Sequence, residues 1–260
     1  MLIAFIAHEA RPDQRPGRER DARAASTIDR RIAAIGKAHQ LAGLPDPTKD
    51  QRVRDALTGA RRRLGVATSN AKTALSLEDV DHMVRGIDLT THAGRRDKAL
   101  LLLGMAAALR RSELVALDVE NLHFVPEGMV VSITRSKTDQ EGTGKTLAIA
   151  AGDRADLCAV RAIRDWLGGA GLRAEAVFRR VRAGDRLTTD RLSDKAVART
   201  VKKYAERVGL KVSDFSGHSL RSGGITQAVR GGHDERKLAR LSRHKDLSIL
   251  RAYITPAPGW

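Results

Sequence analysis

Residues 217–254 read GHSLRSGGITQAVRGGHDERKLARLSRHKDLSILRAYI, and the reading of the whole chain turns on them. Two helical runs, Ser219 to Arg230 and Asp234 to Arg243, are separated by Gly231-Gly232 and followed by a third around Leu247 to Tyr253. Along them His218 and Arg221 lie three apart, His244 follows Arg221 by 244 − 221 = 23 residues, and Tyr253 follows His244 by 253 − 244 = 9. Groups that hold a phosphate therefore precede a hydroxyl that can act as a nucleophile once activated.

Charge says what those groups are for. The 260 residues carry 47 Lys and Arg against 31 Asp and Glu, a formal charge of 47 − 31 = +16, and the sequence pI is near 10.8. Such a surplus calls for a polyanionic partner. Aromatic residues are only 3% of the chain, too few for stacking platforms on single strands, so duplex DNA gripped through its phosphates is the expected partner. No apolar run reaches the roughly 20 residues of a spanning helix, and MLIAFIAHEA at the start is too short for a signal-peptide core. The lone Cys158, inside the apolar run ADLCAVRAI, fits a small core residue of a protein kept in a reducing compartment. The expected location is the bacterial cytoplasm, with the nucleoid, and no membrane partner.

Upstream, residues 1–72 read as a helical DNA-binding domain. A charged, proline-bearing connector spans Arg11 to Arg23. Ser26 and Asp29 then form a capping-box-like start, with Ile28, Ile32, Ile35 and His39 at helical spacing up to Gly43. A second helix runs from about Asp50 through Leu64, with Val53, Leu57, Ala60 and Leu64 inward. From Met1 to Leu75 there are 15 Lys and Arg against 8 Asp and Glu, a local surplus of 15 − 8 = +7. Arg30, Arg31, Lys37, Arg61, Arg62 and Arg63, with Arg111 further on, are the candidate phosphate contacts; solvated helix faces are the plain alternative. The domain looks short, as if a first helix were missing or rudimentary.

Residues 73–76 read as a linker and 77–260 as a second domain, mainly α with a small antiparallel β-sheet. Ser76 with Asp79 opens a helix over SLEDVDHMVRGI. A helix from about Gly94 through Leu109 is apolar nearly all round and should be the buried centre, with Arg110 where core meets surface. MVVSITRSK and KTLAIA flank a glycine-containing turn and predict a hairpin bearing Lys137 and Lys145. Helices follow over Ala155 to Leu167 and, after a turn at RVRAGDRL, over Ser193 to Val208. Gly223-Gly224 should loosen the helix that begins near Ser219.

Ala-Leu-Arg-Arg-Ser-Glu-Leu at 108–114, His-Ser-Leu-Arg at 218–221, His244 and Tyr253, in this order and spacing, resemble the tyrosine recombinase or phage-integrase family of site-specific DNA recombinases. The resemblance covers essentially the whole chain. It implies a helical core-binding domain followed by a mixed catalytic domain, and a site-specific recombinase that cleaves and rejoins duplex DNA through a 3′-phosphotyrosine, without metal or other cofactor. It also implies a homotetramer on paired DNA sites, monomer or dimer when free.

Within that resemblance Tyr253 is the nucleophile. Arg110 and Arg221 are guanidinium clamps for the oxygens on which charge develops, His218 is the base or hydrogen-bond partner, and Lys137 is the proton donor to the leaving 5′ oxygen, with Lys145 the fallback. His244 hydrogen-bonds the phosphate, and Glu113 supports Arg110 from behind. Tyr204, in VKKYAER, lacks a histidine at the corresponding spacing. Arg110 has the plainer reading of capping the C-terminus of the apolar helix before it. Ala108 stands where the family usually has glycine, and only ITPAPGW follows Tyr253, which counts against a further C-terminal docking helix. The alternatives are a nicking-closing enzyme of the type IB topoisomerase kind and a DNA-binding remnant without catalysis.

Overall fold

Ile28, Ile32 and Ile35 share one side of a helix, Val53, Leu57, Ala60 and Leu64 one side of another, and these stripes meet in the folded chain. The computed structural model describes residues 1–13, 21–65, 72–133 and 144–243, and the chain divides into two units, Met1–Ala71 and Lys72–Trp260. In the first, α1 (Leu2–Glu9), α2 (Ala25–Leu41) and α3 (Gln51–Leu64) enclose Ile6, Ile28, Ile32 and Val53. Each fully buried isoleucine contributes about 1.5–3 kcal/mol. The first helix, expected to be missing or rudimentary, is α1, eight residues long: too short to stand alone in water, it is held by Ile6 packing against α3.

The start of α2 also differs from expectation. Its N-cap is Ala24, with no side-chain cap, so Ser26 lies inside the helix. Asp29, the expected capping partner, instead accepts from Arg61 of α3 at 2.9 Å and 3.2 Å. A charge on the neighbouring helix outcompeted the local backbone. By contrast α3 starts as read, with the Asp50 carboxylate accepting from Arg52 N at 2.9 Å.

In the second unit α4 (Leu77–Arg85) opens on the expected capping box: Ser76 Oγ accepts from Asp79 N at 2.9 Å, and Asp79 Oδ2 from Ser76 N at 2.8 Å. Just before it, Thr73 N donates to Asp214 O and Leu75 N to Ser219 O, and Leu75 is buried. The stretch expected as a linker is therefore hydrogen-bonded into this unit. Helix α5 (His92–Ala106), capped by Thr91, is the buried centre, with Ala99, Leu100, Leu101 and Leu103 all shut off from solvent. It stops short of Leu109 because Ala108 turns to φ 44°, a left-handed conformation.

After α6 (Arg111–Ala116), strands β1 (Leu122–Val125), β2 (Gly128–Ile133) and β3 (Lys145–Ala150) form an antiparallel sheet in sequential order. Its β2–β3 pair is the expected hairpin, with Val131 opposite Leu147 and Ile133 opposite Lys145. Helix α7 (Ala159–Gly169) begins four residues later than Ala155, because Arg154 and Asp156 pair in a turn ahead of it at 2.6 Å. Cys158 is its buried N-cap residue, its Sγ accepting from Gly152 N at 3.4 Å. The stretch read as a turn, RVRAGDRL, is instead a two-stranded ribbon of β4 (Arg179–Arg182) and β5 (Arg186–Arg191). Its arginines masked the strand signal. The ribbon is anchored at both ends: Asp185 accepts from His92 N and Ala93 N at the start of α5, and Arg191 donates to Val115 O and Leu117 O at the end of α6.

The last described elements are α8 (Asp194–Arg207), α9 (Gly217–Arg230) and α10 (Glu235–Ser242). The glycine pair of α9 does the opposite of loosening it. A Cβ on Gly223 would stand 2.2 Å from Leu75 O, and one on Gly224 2.1 Å from Met105 O. The two glycines let α9 lie against backbone on two sides, and Gly104 of α5 faces Leu220 at the same crossing. That crossing delivers the front of α9 to the C-terminus of α5.

Candidate active site

The site grows from the end of α5. A helix C-terminus leaves carbonyls without partners and carries partial negative charge. Arg221 Nη1 donates to Ala108 O at 2.6 Å, while Arg243 donates to Ala108 O at 3.0 Å through Nη2 and to Ala107 O at 3.3 Å through Nη1. The capping expected of Arg110 thus falls to Arg221 and Arg243. Arg110 lies past the Ala108 turn and is the N-cap residue of α6.

Arg110 is oriented by Glu113, one turn on. The buried Glu113 carboxylate accepts from Arg110 Nη1 at 2.6 Å and from Arg110 N at 2.9 Å. It also accepts from Arg243 Nη2 at 2.8 Å. Burial alone would push the Glu113 pKa up; the Arg243 charge and the hydrogen bonds from Arg110 overcome it and hold the carboxyl below its ordinary range. Burial pushes the Arg243 guanidinium down and Glu113 pulls it back; an arginine so paired stays protonated.

From α9 come His218 and Arg221. Ser216 caps the helix, its Oγ accepting from His218 N at 3.2 Å, which leaves the His218 ring at the exposed front of the helix. The surrounding protein, then the charges of Arg221, Arg111 and Arg110, lower the His218 pKa below its usual value. The ring is therefore neutral at pH 7 and able to accept a proton. Arg221 is buried, 1% exposed, and its Nη2 donates to Ser242 O at the end of α10. Arg110 Nη2 reaches Arg243 O, the next carbonyl, at 3.4 Å. Residues 242–243 are thus gripped by both arginines. Arg111 packs its stem on Gly217 and lies 3.9 Å from Asp194.

Arg110, Glu113, His218 and Arg221 are accordingly brought together, whereas Lys137, His244 and Tyr253 lie outside the described residues. Lys145 is exposed at the start of β3. The other tyrosine is placed firmly: Tyr204 is 2% exposed, and its hydroxyl donates to Asp97 Oδ2 at 3.1 Å. Arg96 and Lys203 hold the same carboxylate. Burial, then Asp97, raises the Tyr204 pKa, so its phenol stays protonated.

Spacing gave no hint of Arg243. It stands in the charged run RHK, which reads as solvated surface, and its burial beside Glu113 is purely tertiary.

Among the candidate phosphate contacts of the first unit, Arg31 is paired with Glu9, Arg61 with Asp29, and Arg63 donates to Ala10 O. Arg30 reaches Ser26 O and Lys37 reaches Gln40, both on exposed surface. Arg62 is an exposed side chain. Among the described residues no helix is long and apolar enough to cross a membrane.

The sequence matches the phage integrase family over residues 74–259. It is 39% identical over 233 residues to an integrase/recombinase XerD homolog of Selenomonas ruminantium, covering 88% of this chain and 68% of that one. It is 28% identical over 259 residues to the tyrosine recombinase XerC of Pelotomaculum thermopropionicum, covering 92% and 80%. Among solved structures, the Tn1549 transposon integrase in complex with a circular intermediate DNA superposes with a TM-score of 0.64 at 14% identity, over 98% of this chain and 80% of that one. The XerH site-specific recombinase in a post-cleavage complex with its difH substrate gives 0.60 at 14%, over 97% and 74%. At those identities the structural likeness is one of fold.

Proposed function

Because the chain belongs to the phage integrase family of tyrosine recombinases, and with them is a site-specific recombinase that breaks and rejoins DNA strands, we propose that the cluster at the end of α5 holds the scissile phosphate for attack by Tyr253. The observation that carries this reading is the convergence of Arg110, Glu113, His218 and Arg221 on one helix terminus. The burial of Tyr204 adds to it, since that leaves Tyr253 as the other of the two tyrosines in the chain.

The Tyr253 oxygen attacks phosphorus, a bond to the 3′-phosphate forms, and the bond to the 5′ oxygen breaks. His218, neutral at pH 7, takes the phenolic proton. Arg110 and Arg221 neutralise the charge that accumulates on the non-bridging oxygens, where planar guanidinium forks fit best. Lys137 gives a proton to the departing 5′ oxygen, and His244 hydrogen-bonds the phosphate. Attack by a 5′ hydroxyl of a partner strand on the phosphotyrosine reverses the sequence. One phosphoester replaces another at each step, so the balance closes without a nucleotide cofactor. Duplex DNA is the substrate, with the surplus positive charge directed to its backbone. Four copies on two paired sites complete the exchange, in the cytoplasm with the nucleoid.

The test is a duplex selected from randomised sequence for binding to the full chain, nicked so that the cleaved product diffuses away. Wild type and Tyr204→Phe should accumulate a covalent protein–DNA adduct, and Tyr253→Phe none. An adduct that survives Tyr253→Phe, or none with wild type, overturns the reading.

A further inference from the structure

Arg243 follows the last residue of α10 with φ 53°, a left-handed conformation that side-chain-bearing residues seldom adopt. Its side chain is 2% exposed and that of its partner Glu113 1%. Besides Glu113 Oε2 and the carbonyls of Ala107 and Ala108, it reaches Leu241 O at 2.6 Å, and its own carbonyl accepts from Arg110 Nη2. Among the described residues its Nε is a buried donor without a partner. A residue kept only for stability would avoid all three features, because a buried ion pair is weak evidence of stabilisation, an orphaned donor costs free energy, and a glycine would adopt this backbone freely.

What the arrangement does is divide one carboxylate between two guanidiniums. If Glu113 faced Arg110 alone, the pair would be neutral and Arg110 would have little charge left for a phosphate. With Arg243 present the three groups sum to 2 − 1 = +1. We propose that Arg243 is a positioning residue for strand cleavage: it shares Glu113 with Arg110, so that Arg110 keeps positive charge for the scissile phosphate, and it locks the end of α10 to the turn after α5. The inference rests on the reading above that Arg110 clamps that phosphate.

Single-turnover adduct formation at saturating DNA, DNA affinity and thermal melting are measured on the full chain with the selected nicked duplex. Arg243→Met should slow adduct formation by about 10–100-fold, the usual effect of losing a residue that orients a reacting group, with affinity within about threefold of wild type. Adding Glu113→Gln to Arg243→Met should restore part of the rate, because a neutral amide no longer cancels Arg110. A purely structural role for Arg243 predicts no such gain in rate on the folded protein. Arg243→Lys and Arg243→Gln form a milder pair in which only lysine keeps the charge, and lysine should be faster by about tenfold or more. Those two decide the matter should the methionine variant not fold. The inference is overturned by an Arg243→Met rate within about threefold of wild type, by equal rates for the lysine and glutamine variants, or by a deficit confined to affinity or melting. It is also overturned by no gain from Glu113→Gln. Wild type giving no adduct, or Tyr253→Phe giving one, shows instead that the underlying reading has failed, and the inference falls with it.

Discussion

His218 stands at the exposed front of α9 among three guanidiniums, and its proton affinity is set by that company. Surrounding protein and the charges of Arg221, Arg111 and Arg110 all disfavour the imidazolium, so the folded-state pKa lies below the ordinary value of about 6.5. A group depressed in this way keeps its working, neutral form as pH falls past 6.5 and loses it only at the lower folded value. The rate of adduct formation should accordingly hold down to below about pH 6.5 before its acid limb begins, and His218→Ala should lower the plateau and abolish that limb. An acid limb centred above the ordinary histidine value would mean that another group titrates. That Arg110, Glu113, His218 and Arg221 belong together was legible in the sequence through the family resemblance that their two short runs carry in order. Arg243 was not, since its place beside Glu113 joins positions 130 residues apart.

At the scale of elements, glycines mean opposite things in different places, and only the neighbours tell which. Gly168, near the end of α7, has nothing within 4 Å of the point where a methyl group would stand, whereas Gly224 in α9 meets Met105 O at 2.1 Å. Gly168→Ala should therefore stabilise the protein by roughly 0.5–1 kcal/mol through helix propensity alone. Gly224→Ala should destabilise it by about 1–3 kcal/mol or more by forcing α9 off the end of α5, and adduct formation should fall with it. Thermal melting of the two variants checks both signs, and equal shifts would contradict the close crossing. The same dependence on neighbours explains two elements that periodicity missed. Helix α1 exists because Ile6 finds a pocket against α3, and the β4–β5 ribbon because Asp185 and Arg191 tie its two ends to α5 and α6. The helices α3 and α4 were legible from apolar stripes and the caps Asp50 and Ser76, α5 from its continuous apolar run and α8 from its apolar stripe, all of them local signals.

For the molecule as a whole, the surplus of +16 charges predicts a binding constant for duplex DNA that falls steeply with salt. Each phosphate contact contributes a slope of about −0.9 in the logarithm, so six to ten contacts would lose about 10³–10⁵ in affinity between 50 and 200 mM salt. A fluorescence-anisotropy titration measures this, and a flat response would mean that the positive charge faces something other than DNA. Several of the arginines behind that surplus also act within the fold: Arg31 holds Glu9, Arg61 holds Asp29, and Arg96 holds Asp97. Each such pair is neutral and already cancelled in the net count, so the pairing fixes which arginines remain for DNA and leaves the surplus of +16 unchanged. By itself the sequence determined the helical class with a small antiparallel sheet, the family, and the order of the candidate site residues along the chain, because these depend on residue type and short-range spacing. The tertiary structure decided how α9 and α10 are seated on the end of α5, which tyrosine is locked away in the core, and that one carboxylate serves two arginines. Those outcomes depend on close backbone approach and on burial, and both are properties of parts of the chain far apart in sequence.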